Sequence, residues 1–297
     1  MDQTPQPPPL MSEPPFVAAP PVMPEAPVPD ASAPLPKWRA WVLLLVMAAY
    51  PLSLGLIGAH GQEASSSPQA MLPETVKELW ISCGQNLGIF AAFFVLAWGV
   101  ARPGKERLYL KWRNPFVALG LGIVWSIGLR ILVAALVLVA VAGVWIWGHF
   151  HGQSPDAMEG LRPKIENVIS PAALHNPLYL LMILTVVSFV LAGLREELWR
   201  AAMIAGVVGV LPVRWQGRRG EILAVVLGAI VFGLGHLPQG VGGVFLTGVL
   251  GLGLGGILIG HRSLWIAVLA HGFFDATSFL GLWAADRAGL LKQVLGG

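Results

Sequence analysis

The sequence is poor in cysteine and in charge. Cys83 is the single cysteine among 297 residues, which excludes an internal disulfide and a thiolate metal cluster. Charged residues make up 12% of the chain, about half the share found in soluble domains, and this excludes a water-soluble globule. The net charge of +3 is not gathered into a basic stripe. The cations sit in short loops between apolar runs, so no nucleic-acid partner is expected. Residues 1–36 contain no lysine or arginine, only the acids Asp2, Glu13, Glu25 and Asp30, together with 13 of the 24 prolines. A secretory signal needs a basic start and an apolar core, and this segment has neither. Proline at that density favours polyproline II and builds no packed core, so 1–36 reads as a disordered tail. No P-loop and no Ser-His-Asp signature is visible.

What the chain does have is apolar residues, 55% of the total, with a mean hydropathy of +0.69. They fall into runs at Trp38–Ala59, Leu79–Val100, Pro115–Gly148, Pro177–Leu211, Ile222–Leu237, Val241–Gly260 and Ser263–Trp283. A helix crosses a bilayer in roughly 20 residues, so these runs predict an all-α, polytopic membrane bundle of about seven transmembrane helices. The third and fourth runs are longer than a span needs. Either they tilt or they hide a break. The loops holding Arg102, Lys105, Arg107, Lys111 and Arg113, then Arg214, Arg218 and Arg219, with Arg262 after the sixth run, mark one side as cytoplasmic. That rule puts the N-terminus in the cytosol and the C-terminus outside. Gly251, Gly253 and Gly256 formally match a dinucleotide-binding pattern, but inside an apolar run they predict close helix packing through Gly251/Gly255 and Gly256/Gly260.

A few charges lie inside these runs, where each one is costly and needs a partner or a task. The fourth run holds Arg195-Glu196-Glu197-Leu198-Trp199-Arg200, in which Arg200 shares a helix face with Glu196 and with Glu197. Taken alone, the patch reads equally well as a neutralised structural knot. The fifth run ends on Phe232-Gly-Leu-Gly-His236, and the seventh carries His271-Gly-Phe-Phe-Asp275. Three polar clusters on three helices need partners that lipid cannot supply, so they are expected to meet. Glutamate and histidine together can activate water as a general base. Glu196, His236 and His271 could instead hold zinc. At 1.5 Å per residue, His271 and His236 lie about 12 and about 21 Å from the starts of their runs, a mismatch that helix tilt must absorb. Arg130, deep in the third run, is expected to pair with a spare glutamate or to snorkel.

In order, spacing and apolar setting the three clusters resemble the CPBP family of intramembrane proteases, which includes type II CAAX prenyl endopeptidases and Abi bacteriocin-immunity proteins. The family pattern is Glu-Glu-x-x-x-Arg, Phe-x-x-x-His and His-x-x-x-Asn/Asp. Phe232/His236 and His271/Asp275 fit it directly. The first motif is one residue short, since only two residues separate Glu197 from Arg200. Aligned on Arg200, Arg195 takes the first glutamate's place; aligned on the glutamates, Arg200 turns by about 100°. The resemblance implies catalytic helices over 177–284, preceded by further helices and loops over 37–176 and followed by a tail over 285–297. It implies an endopeptidase of a bacterial plasma membrane that acts on a peptide or protein substrate in the bilayer. Glu196 would activate water, with Glu197, Arg200, His236, His271 and Asp275 completing the site. An ionised Asp275 only accepts hydrogen bonds, so it would be protonated or would orient His271. No cofactor is expected, with zinc as the alternative. The short motif leaves room for a non-proteolytic member acting as a scaffold or immunity factor, or for a transporter with a polar relay.

Overall fold

The structure is a computed structural model that describes residues 35–62, 72–111, 114–151, 163–164 and 167–291, all in one compact unit that begins at Pro34. The proline-rich segment 1–34 lies outside the described residues. Every regular element among those described is helical. Seven helices follow the seven apolar runs: α1 Lys37–Gln62, α2 Val76–Ala101, α3 Pro115–His151, α4 Pro177–Val210, α5 Arg218–Leu234, α6 Gly240–His261 and α7 Leu264–Arg287.

Local chemistry fixes the helix ends. Thr75 caps α2 by accepting from the Glu78 backbone N–H at 3.2 Å, and its hydroxyl donates to the Glu78 carboxylate at 2.9 Å. Asn176 accepts from the N–H groups of Leu178 and Tyr179 at the start of α4, where Pro177 gives up no needed donor. The long third run is one unbroken helix of 37 residues. The fourth is also continuous, but its winding changes: Ile183–Glu196 is π-helical, and the α-helical ladder resumes at Glu197. The buried Ser188 hydroxyl donates to the Ile183 carbonyl five residues back at 2.7 Å, in step with the wider coil.

Among the described residues five helices, α2, α3, α4, α6 with its preceding turn, and α7, are long and apolar enough to cross a membrane. α5 has 17 residues, about 26 Å of α-helix, which is short of the roughly 30 Å hydrocarbon core. Large apolar side chains such as Phe116, Leu138, Val139 and Trp145 cover the outside, as a bilayer-facing surface requires.

α7 sits centrally, packed on the π-helical stretch of α4 and on α3, while α1 lies against α2 and the second half of α4, and α5 pairs with α6. Glycines set the closest approaches. A Cβ at Gly255 would stand 2.6 Å from Val225 Cγ1, and one at Gly251 would stand 3.2 Å from both the Ala229 Cα and the Phe232 ring. The Gly251/Gly255 face therefore does pack on α5. Gly256 and Gly260 have nothing within 4 Å, so the second expected pair does not pack. At the α4–α7 contact a Cβ on Gly272 would overlap the Phe189 ring, which also stands edge-on to Phe273 at 5.1 Å. Gly272→Ala should lower the thermal midpoint in detergent by about 3–10 °C through overpacking, measured by circular dichroism. An unchanged midpoint would show that this contact has slack.

On the side of the basic loops, Tyr109, Glu221 and Arg262 tie three connections together. The Tyr109 hydroxyl donates to Glu221 Oε1 at 3.1 Å, Arg262 pairs with the same oxygen, and the Leu264 N–H donates to the Tyr109 carbonyl at 2.8 Å. Burial, and then the adjacent Glu221 charge, push the Tyr109 phenol well above its ordinary pKa. Removing a proton there would set two anions side by side, so the hydroxyl stays a donor.

Candidate active site

The site is built where the winding of α4 changes. Glu196 is the last π-helical residue and Glu197 the first α-helical one. Both residues keep right-handed helical dihedrals, and both side chains reach α7. Glu197 is fully buried and accepts from His271 Nδ1 at 2.9 Å. Glu196 Oε2 lies 3.9 Å from Nε2 of the same ring. Two neighbouring carboxylates thus bracket one imidazole, one at each nitrogen. Gly193 allows this approach, since a Cβ there would sit 3.0 Å from the Val268 carbonyl oxygen.

Each glutamate has its own arginine. Arg200, 1% exposed, donates to Glu197 Oε1 one helical turn away. The guanidinium shared between two faces in the sequence reading is thus committed to Glu197. Arg195 donates to Glu196 Oε1 at 2.6 Å and reaches Asn86 Oδ1 of α2 at 3.5 Å. It also interacts with Tyr50 of α1. Asp275, one turn along α7 from His271, directs Oδ2 to within 3.7 Å of His271 Nε2.

Phe232 joins the three motifs. Its ring faces His236 at 4.7 Å and His271 at 6.3 Å, and Arg200 Cζ lies 4.9 Å from its centre. The depth mismatch between the histidines is absorbed by this intervening ring. His236 Nδ1 donates to the Phe232 carbonyl at 2.8 Å, which leaves Nε2 as its acceptor. Among the described residues His236 meets the cluster through the Phe232 ring alone, whereas Glu196, Glu197, Arg200, His271 and Asp275 come together directly.

Among the described residues no three His, Cys, Asp or Glu side chains are grouped to hold a metal ion. The trio Glu196, His236 and His271 is no such group, because Phe232 stands between the histidines. Arg130 neither pairs with a glutamate nor snorkels. It donates to the Phe274 carbonyl, to Thr277 Oγ1 and, at 3.3 Å, to Ser278 Oγ, all on α7. Sequence reasoning missed the support from α1 and α2. Asn86, a lone amide inside an apolar run, was the available signal, since such groups bond across helices in membranes. The Trp199 indole N–H donating to the Met47 carbonyl at 2.9 Å had no signal at all, because its partner is backbone.

No curated protein and no solved structure matches the chain. Residues 177–277 match the family model described as Rce1-like, the type II CAAX prenyl endopeptidases, a family of proteases. The matched segment starts at the first residue of α4, ends two residues past Asp275, and contains all three motifs. Over residues 177–277, about a third of its length, this chain is therefore similar to the type II CAAX prenyl endopeptidases.

Proposed function

We propose that this protein is an intramembrane endopeptidase that hydrolyses a peptide bond with water activated by Glu196. The observation that carries this reading is the triangle formed by Glu196 Oε2, His271 Nε2 and Asp275 Oδ2. His271 Nε2 lies 3.9 Å from the first and 3.7 Å from the last. These separations are too long for direct hydrogen bonds and suit one water touching all three groups.

Glu196 takes a proton from that water as its oxygen bonds to the substrate carbonyl carbon. The same proton then passes to the departing amine as the C–N bond breaks, giving a free carboxyl and a free amine. The second oxygen of Glu196 is occupied by Arg195, so Oε2 is the one that receives the proton. His236 takes part through the Phe232 ring, which it steadies against His271. His271 faces the negative charge that develops on the carbonyl oxygen, and Asp275 keeps its ring in place. Glu197, itself paired with Arg200, accepts from Nδ1 of that ring and so fixes which nitrogen points at the reaction. The substrate would be a peptide or protein segment at or in the bilayer, the N-terminus of the enzyme would be cytosolic, and no cofactor takes part.

The family's description makes a prenylated C-terminal Cys-a-a-X peptide the natural probe. Purified full-length protein in detergent is expected to cleave a farnesylated fluorogenic Cys-a-a-X peptide, with the released tripeptide identified by mass spectrometry, and His236→Ala should lower the rate at least tenfold. Cleavage of the unprenylated peptide at equal rate would keep the peptidase and discard prenyl recognition. No cleavage of either, or full activity in His236→Ala, would overturn the mechanism and favour the scaffold or immunity reading that the shortened motif and Arg195 support.

A further inference from the structure

On the side of the basic loops, the start of α5 and the turn after α6 carry more positive charge than their packing uses. Residues 211–221 and the α6–α7 turn hold Arg214, Arg218, Arg219 and Arg262 against a single acid, Glu221. Glu221 is buried, and its Oε1 pairs with Arg262, which neutralises it. Arg218 is surplus to that pair, yet it is held in place. Its Nη1 donates to the Ile259 carbonyl in the last turn of α6 at 2.8 Å and stands 3.9 Å from Glu221 Oε2. One carboxylate and one helix end thus fix two guanidiniums side by side, and each side chain remains 60% exposed. Tyr109 and Arg262 hold left-handed dihedrals, φ 55° and 54°, that a glycine would adopt without strain. Both positions keep a side chain nonetheless, and Arg262 Cζ lies 5.4 Å from the centre of the Tyr109 ring.

From this pair an apolar track leads along α5. Ile222, Val226 and Ile230 follow Arg218 at steps of four, on one ridge of the helix, and all three are exposed. The ridge from Arg218 to Ile230 is about 18 Å long, close to the roughly 15 Å of hydrocarbon in one leaflet. Trp215, exposed at the entrance to α5, stands where interfacial aromatics stand. We propose that Arg218 and Arg262 bind the phosphate of an anionic phospholipid in the leaflet on the side of the basic loops, with one acyl chain lying along Ile222, Val226 and Ile230. Guanidiniums suit a phosphate diester because their planar forks of N–H donors meet its anionic oxygens. The apolar track selects a lipid over free phosphate. The surplus positive charge selects an anionic headgroup over a zwitterionic one.

Titration of the full-length protein in neutral maltoside detergent with phosphatidylglycerol, read by thermal midpoint, tests this independently of any peptidase activity. Phosphatidylglycerol is expected to raise the midpoint by about 5 °C, and phosphatidylcholine or inorganic phosphate by less than about 1 °C. Arg218→Gln should cut the phosphatidylglycerol shift to below about 2 °C. Lys105→Gln, an equal change of charge at an exposed position of the α2–α3 connection, should leave that shift intact. An equal shift with phosphatidylcholine would mean lipid packing alone, and an equal shift with inorganic phosphate would mean a site for soluble anions. An equal loss in Lys105→Gln would mean diffuse surface charge. Each of these results overturns the proposal. If Arg218→Gln does not fold, Arg218→Lys, which keeps the charge but lacks the fork, takes its place. A shift at least halved in that variant supports the site, and a smaller reduction overturns it.

Discussion

Replacing Arg200 by methionine should lower the thermal midpoint by roughly 10 °C or more, or leave no folded protein at all. Arg200 and Glu197 are 1% and 0% exposed, and they pair only one turn apart. Removing the cation strands Glu197 as a buried anion with only His271 beside it, and breaking a buried pair in this way costs about 3–5 kcal/mol. The loss spreads further than one bond, because Arg200 also covers the Phe232 ring and so joins α4 to α5. Glu197→Gln should be destabilising for the mirror reason, leaving Arg200 uncompensated. The double change Glu197→Gln with Arg200→Met should recover part of the midpoint, since two neutral groups are cheaper to bury than one unpaired charge. Differential scanning fluorimetry of the four proteins reads this directly. Midpoints within about 2 °C of the parent would mean that the helices hold together without the pair.

Glu196→Gln is expected to act in the opposite manner, with turnover falling by about 10²–10⁴-fold while the midpoint moves by only a few degrees. The Glu196 side chain is 19% exposed, and its partner Arg195 keeps a second contact with Asn86 on α2. Glutamine fills the same space but takes up no proton, so the loss should fall on kcat with KM nearly unchanged. Glu196→Asp should recover only part of the rate, because shortening the side chain by one methylene draws the carboxylate back from the water. The two glutamates are thereby separated by experiment, one judged by turnover and the other by stability. Full turnover in Glu196→Gln, with inactive but folded Glu197→Gln, would exchange their roles.

Much of this molecule is legible in its hydropathy. Seven runs predict seven helices, and their limits agree to within a few residues because lipid leaves the backbone no other way to satisfy itself. The meeting of the three motifs was also legible, since polar groups in an apolar run must find one another. What was hidden depends on contacts between helices and on departures from regular winding. Spacing alone could not say which acid each arginine takes; in the structure Arg200 pairs with Glu197 and Arg195 with Glu196. Arg130 was expected to seek a glutamate, but α3 packs on α7, where carbonyl and hydroxyl oxygens are what it meets. Gly256 and Gly260 match a packing pattern on a face that happens to have no neighbour. Periodicity tells which residues share a face but not what lies opposite.

The π-helical stretch bears on how thick a membrane this protein suits. A coil that closes its hydrogen bonds over five residues uses more residues per turn and climbs less with each one than an α-helix does. Wound as ordinary α-helix, the 34 residues of α4 would extend about 51 Å. With Ile183–Glu196 wound more widely, the same segment is shorter and stouter. The wider winding just before Glu197 thus also trims an overlong apolar segment slightly, and tilt takes up the rest of the mismatch with an ordinary bilayer.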